Sequence, residues 1–153
     1  MMCPPKTYAD WTALLALLKE RGHDEEVLAA MREGSLSWQS GVAERFTAQL
    51  MNAVEVRLGA ASDVFSRSMQ HAREERETVA ALLLLRRTLS FLLRAVDLPA
   101  LPQEQREALR KMVAEHAERM QESLLDSARS DRTGRMMCIV RSHCVNRLDR
   151  SDL

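Results

Sequence analysis

The stretch VAALLLLRRTLSFLLRAV, residues 79–96, decides the fold class of this chain. Leucine, valine, alanine and phenylalanine dominate it, so a helix over this range is apolar on most of its faces. A helix of that kind lies buried in the centre of a domain. Arg86 and Arg87 interrupt the run, whereas a membrane-spanning helix needs about 20 largely uninterrupted apolar residues. The stretch therefore predicts a central, highly apolar core helix and no membrane association.

Helical periodicity continues on both sides of this stretch. Apolar residues recur every three or four positions through 42–69, which predicts a long third helix beginning at about residue 41. The polar stretch Gln70–Thr78 contains no Gly or Pro, so it is either a bend or the exposed overlap of two helices. Prolines within Asp97–Pro102 end the central helix. A further stripe of apolar residues then predicts a helix that runs to about Arg129.

Two short helices precede the long one. Thr7 and Asp10 have the spacing of a capping box, so the first helix begins there. Acidic residues at 24–26 start a second helix, because negative charge is favourable at a helix N-terminus, and Gly34 ends it. These two helices form an N-terminal αα-hairpin. Residues 1–6 form a disordered or extended lead.

The segment over 135–153 is amphipathic and follows a turn at Ser130–Gly134, with Asp first and Gly fourth. It forms a short helix or an extended arm. We expect its apolar face and its arginines to bind a partner, through Arg135, Met136, Met137, Val140, Arg141, Cys144 and Leu148.

A period of 3.6 residues dominates the whole chain, and glycine and proline are scarce. The sequence therefore predicts an all-α, single-domain bundle of five or six helices over residues 1–153. Gly59 lies inside the predicted long helix, where glycine costs about 1 kcal/mol relative to alanine. We expect it to permit the close approach of another helix.

The charges balance in total but not along the chain. There are 22 basic and 22 acidic residues, yet residues 1–66 carry a net charge of −3 and residues 127–153 a net charge of +3. The basic tail either folds back onto the acidic half of its own chain or docks on another protein. Nucleic-acid binding through the tail is a weaker alternative, because the basic excess is small and the tail has no aromatic residue for base stacking.

No motif for catalysis, metal binding or cofactor binding is present. The chain contains no HExxH, GxGxxG, P-loop or GxSxG sequence. A di-iron site needs Glu-x-x-His within core helices, and the one match, Glu20–His23, is interrupted by the helix-ending Gly22. The three cysteines have no zinc-ligand spacing. We therefore expect a protein that is not an enzyme and has no cofactor or metal.

Three residues interrupt the apolar pattern and could bind an anionic ligand. Arg87 and Arg94 lie seven residues apart, on one face of the most apolar helix, and His116 lies on an apolar stripe. In the alternative interpretation the arginines face solvent or pair with a carboxylate, and His116 is half-buried and bonded to a neighbouring helix. The candidate carboxylates are Glu44, Glu55 and Asp97.

These observations favour a non-catalytic helical bundle that binds another protein or its own second copy, as a homodimer. An anion-binding or regulatory module is the alternative function. The first residues show no signal peptide, and the odd number of cysteines does not suit a disulfide framework, so we expect a cytoplasmic protein.

Overall fold

The computed structural model describes residues 1–35, 41–71 and 74–142, and these residues form α-helices without a β-strand. In chain order the helices are α1 (Tyr8–Arg21), α2 (Glu25–Glu33), α3 (Val42–His71), α4 (Glu75–Val96), α5 (Gln103–Ser130) and α6 (Arg135–Ser142). The prediction of an all-α bundle is confirmed. None of the helices in this described part is long and apolar enough to cross a membrane.

The ends of α1 and α2 are formed by the residues that the sequence indicated. Thr7 Oγ1 accepts a hydrogen bond from the Asp10 backbone N–H at 3.2 Å, and the Asp10 carboxylate accepts one from the Thr7 N–H at 2.9 Å. Asp24 caps α2 by accepting from the N–H groups of Glu26 and Val27. Each cap binds N–H groups that have no partner within the helix, which fixes where the helix begins.

The long third helix and the central helix are separate. α3 ends at His71, and Glu74 has an extended backbone with φ −119° and ψ 144°, after which α4 begins at Glu75. Residues 72–73 lie outside the described residues. The helix is therefore interrupted at Glu74 within the polar stretch. This corresponds to the bend, one of the two options that the sequence left open.

The core lies where α4 meets the helices around it. α4 contacts α2, α3 and α5, while α3 also contacts α1. Leu85, Leu89 and Leu92 on α4 are completely buried, and so are Phe46 and Leu50 on α3. Side chains of α1, α2, α5 and α6 join the same apolar cluster. One continuous core thus extends through the described helices.

The expectation that Gly59 allows a close helix approach is wrong. The residue is exposed on α3, and a Cβ atom at this position would have no neighbour within 4 Å. The sequence pattern could not show this, because a glycine has no side chain that marks it as part of the apolar stripe or of the exposed face beside it. Gly59 is therefore a weak point in α3 without a packing role.

We expect Gly59→Ala to raise the free energy of unfolding by about 1 kcal/mol, since alanine has the higher helix propensity and nothing obstructs its methyl group. Urea unfolding followed by far-UV circular dichroism measures this. Gly41→Ala is the matched control: it also has open space, but its φ of +80° is unfavourable for alanine, so stability should fall. A loss of stability in Gly59→Ala would contradict the interpretation.

Candidate functional site

Arg94 is paired with a carboxylate that the sequence analysis did not consider. Its guanidinium donates two hydrogen bonds to Glu25 on α2, at 2.7 and 3.1 Å, and its Cζ atom lies 5.6 Å from the centre of the Phe91 ring. The pair is exposed on the surface, and it links α2 to α4. Its geometry is bidentate, which suits guanidinium and carboxylate groups. The charge of Arg94 is thus already balanced within the chain.

Arg87 has a different environment. It is exposed, and no carboxylate of the described residues forms an ion pair with it. The following residue, Thr88, donates a hydrogen bond from its hydroxyl to the Leu84 carbonyl at 2.9 Å. His23 Nε2 lies 2.9 Å from the same hydroxyl oxygen, so the imidazole is the donor in that contact. The turn between α1 and α2 is thereby attached to α4 beside Arg87.

Sequence reasoning missed His23 as a member of this cluster, because it considered the residue only as a metal ligand. Partial burial of the imidazole, together with the positive charges of Arg57 and Arg87, lowers the pKa of His23 below its usual value. The ring packs edge-on against Phe91, with centroids 5.6 Å apart. The only local signal was the position of a histidine in a tight helix joint. His23 is thus a neutral structural contact at pH 7.

The contacts of His116 involve neither of the two arginines. It is half-buried on α5, and its Nε2 atom is 3.1 Å from Ser62 Oγ on α3. Ser62 also donates to the Met120 sulfur at 3.5 Å. Burial, with a smaller effect of Arg119, lowers the pKa of His116. The structure therefore joins His116 to α3 and Arg94 to α2, and the anion site predicted from these residues stays a prediction.

The start of the predicted partner-binding segment packs against its own bundle. Asp131 accepts hydrogen bonds from the backbone N–H groups of Thr133 and Met136, at 3.0 and 2.9 Å, and this turn directs α6 onto α5. Val140 is 5% exposed, and Met136 and Met137 pack against the core while partly accessible.

The remaining residues of that segment are differently placed. Arg135 is exposed, and Arg141 belongs to α6. Cys144 and Leu148 lie outside the described residues. A partner contact through this segment stays a prediction, and the structure places Val140 in the chain's own core with Met136 and Met137 packed against that core.

A groove between α3 and α4 presents apolar side chains to solvent. Val64 on α3 is 36% exposed and Leu84 on α4 is 39% exposed, and both line this groove of 460 Å³. The other lining residues are Arg67, Ser68, His71, Glu77, Ala80 and Ala81. Large exposed apolar patches bordered by polar groups mark protein-binding sites, and Val64 and Leu84 are the larger apolar residues exposed in this groove.

One row of exposed residues on α4 includes Glu77, Ala80 and Leu84, which line the groove, and continues to Arg87. Glu77, Ala80, Leu84 and Arg87 follow one another at spacings of three, four and three, so they lie on one face of the helix, and all four are exposed. We call this row the α4 stripe. It has an acid at one end, a base at the other and apolar residues between them. Sequence reasoning missed it because it interpreted the helix over 79–96 as apolar on most of its faces and allowed only its arginines to face solvent.

Groups of three or more His, Cys, Asp or Glu side chains that could hold a metal ion are absent from the residues that the structure describes. Comparisons of the chain with models of protein families, with curated proteins and with solved structures give no match.

Proposed function

We propose that this protein is a protein-binding helical bundle that self-associates through the groove between α3 and α4. The observation that carries the proposal is the exposure of Val64 and Leu84 on opposite sides of one groove. Scattered single apolar residues on a surface need no explanation, but two large ones that line the same groove form a patch. The free thiols of Cys3 and Cys138 fit the reducing cytoplasm in which we propose that it acts.

A second copy is the occupant that the charges favour. The groove has a basic group on α3, at Arg67, and an acidic group on α4, at Glu77. A two-fold axis brings the same patch of both copies together, so a surface with both charge signs can be complementary to itself. Fully burying an exposed aliphatic side chain contributes about 1.5–3 kcal/mol, so covering the exposed third of Val64 or Leu84 contributes roughly 0.5–1 kcal/mol, and the symmetry repeats each contact.

The test is the molecular mass in solution. We expect light scattering coupled to size exclusion to show a mass above the 17.4 kDa of one chain for the wild type, rising with protein concentration. Leu84→Glu and Val64→Glu place a carboxylate in the apolar contact, so both should give the monomer mass over the same concentrations. Because both positions are already partly exposed, the monomer should keep its helical circular dichroism spectrum.

Val56→Glu is the matched control. Val56 is an exposed valine on the same helix as Val64, 46% accessible, but it does not line the groove. Its mass should therefore equal that of the wild type. A wild type that remains monomeric at every concentration would refute the proposal, and so would a Leu84→Glu variant that keeps the wild-type mass.

A further inference from the structure

We infer that two copies pair through their α4 stripes in antiparallel orientation, about a two-fold axis that passes between Ala80 and Leu84. This inference rests on the self-association proposed above and specifies its geometry. The α4 stripe has the spacing of one seam of an antiparallel helix pair, three, four and three residues. Antiparallel pairing centred between Ala80 and Leu84 places the Glu77 end of the stripe in one copy against the Arg87 end in the other copy.

The sizes of the apolar residues fit this register. Ala80 of one copy lies opposite Leu84 of the other, so a small residue faces a large one at both central positions. Ala80 and Ala81 line the groove beside Ser68, which leaves room for the leucine of the second copy next to Val64. A parallel pairing would instead oppose Leu84 to Leu84 and Ala80 to Ala80. Matching large with small side chains gives the denser contact.

The charges select the same orientation. In the antiparallel register Glu77 of each copy lies opposite Arg87 of the other. In a parallel pairing Glu77 would oppose Glu77 and Arg87 would oppose Arg87, and like charges that face each other are destabilising. Arg87 forms no ion pair among the described residues, whereas Arg94, one heptad later, is bound to Glu25. The stripe therefore ends at an arginine whose charge is available to a second copy.

Exchanging the charges tests the register. We expect Glu77→Arg or Arg87→Glu alone to weaken self-association about 10- to 100-fold, because the symmetry turns two attractive contacts into two repulsive ones. An equimolar mixture of the two single variants should recover the wild-type affinity, since each charge then meets its opposite. The double variant E77R/R87E should recover it too. Analytical ultracentrifugation measures all of these affinities.

Glu118→Arg is the control for a change of net charge alone. Glu118 is exposed on α5 and lies outside the groove, so its variant should keep the wild-type affinity. If Leu84→Glu gives monomers but Glu77→Arg and Arg87→Glu alone keep the wild-type affinity, or their mixture does not re-associate, the antiparallel register is wrong while self-association through the groove stands. If the wild type is monomeric, both proposals are refuted.

Discussion

Replacing Trp11 by alanine is expected to lower the free energy of unfolding by about 3–5 kcal/mol, a large share of the stability of a small domain. Trp11 is completely buried on α1, and its ring packs edge-to-face on Phe46 of α3, with centroids 5.0 Å apart. Its Nε1 atom also donates a hydrogen bond to the Ser35 carbonyl, at 3.3 Å. Alanine would leave a cavity where α1, α3 and the residues that follow α2 meet.

Trp11→Phe separates the contributions of the ring and the hydrogen bond. It keeps an aromatic ring against Phe46 and loses the bond to Ser35, so its cost should be smaller, about 1–2 kcal/mol. Urea unfolding followed by far-UV circular dichroism gives both values, because that signal does not depend on the tryptophan. Equal costs for Trp11→Ala and Trp11→Phe would show that packing against Phe46 contributes little.

Leu89→Ala is expected to lower the free energy of unfolding by about 2–5 kcal/mol. Leu89 lies on α4 and is completely buried in the core that α4 forms with its neighbours. Removing its branched end leaves a cavity that the surrounding helices can fill only in part. The same urea titration measures the loss.

Leu84→Ala is the matched control on the same helix. Leu84 is 39% exposed, so its truncation should change the stability of the monomer by only about 0.5 kcal/mol. Leu84→Ala should instead weaken self-association. The unfolding free energy of the monomer does not measure that effect. If Leu84→Ala destabilised the monomer as much as Leu89→Ala does, the α4 stripe would belong to the core and the proposed groove would lose its basis.

The start of α1 shows how much of this fold local sequence decides. Thr7 and Asp10 are three residues apart, and their capping bonds form as soon as the chain enters a helix there. Asp24 does the same for α2, with partners two and three residues away. Such signals can be read without any knowledge of the tertiary structure, since all the atoms involved belong to one helical turn.

The candidate site was much less predictable. Arg94 was expected to face a ligand, solvent or one of three other acids, but it binds Glu25, which is 69 residues away in the chain. His23 bonds to Thr88 across 65 residues. Composition and spacing do not predict which side chains of two separate helices form a contact. Those contacts depend on the angle and register at which the helices pack.

By itself, then, the sequence determined that this chain forms an all-α bundle, because the period of its apolar residues and its caps act within a few residues along a helix. Only the tertiary structure decided which side of each helix is left uncovered. Residues 79–96 are so uniformly apolar that the sequence could not distinguish Leu89 from Leu84, although one is buried and the other partly exposed. The packing of α3 and α5 against α4 makes that distinction, since a helix buries only the faces that its neighbours reach.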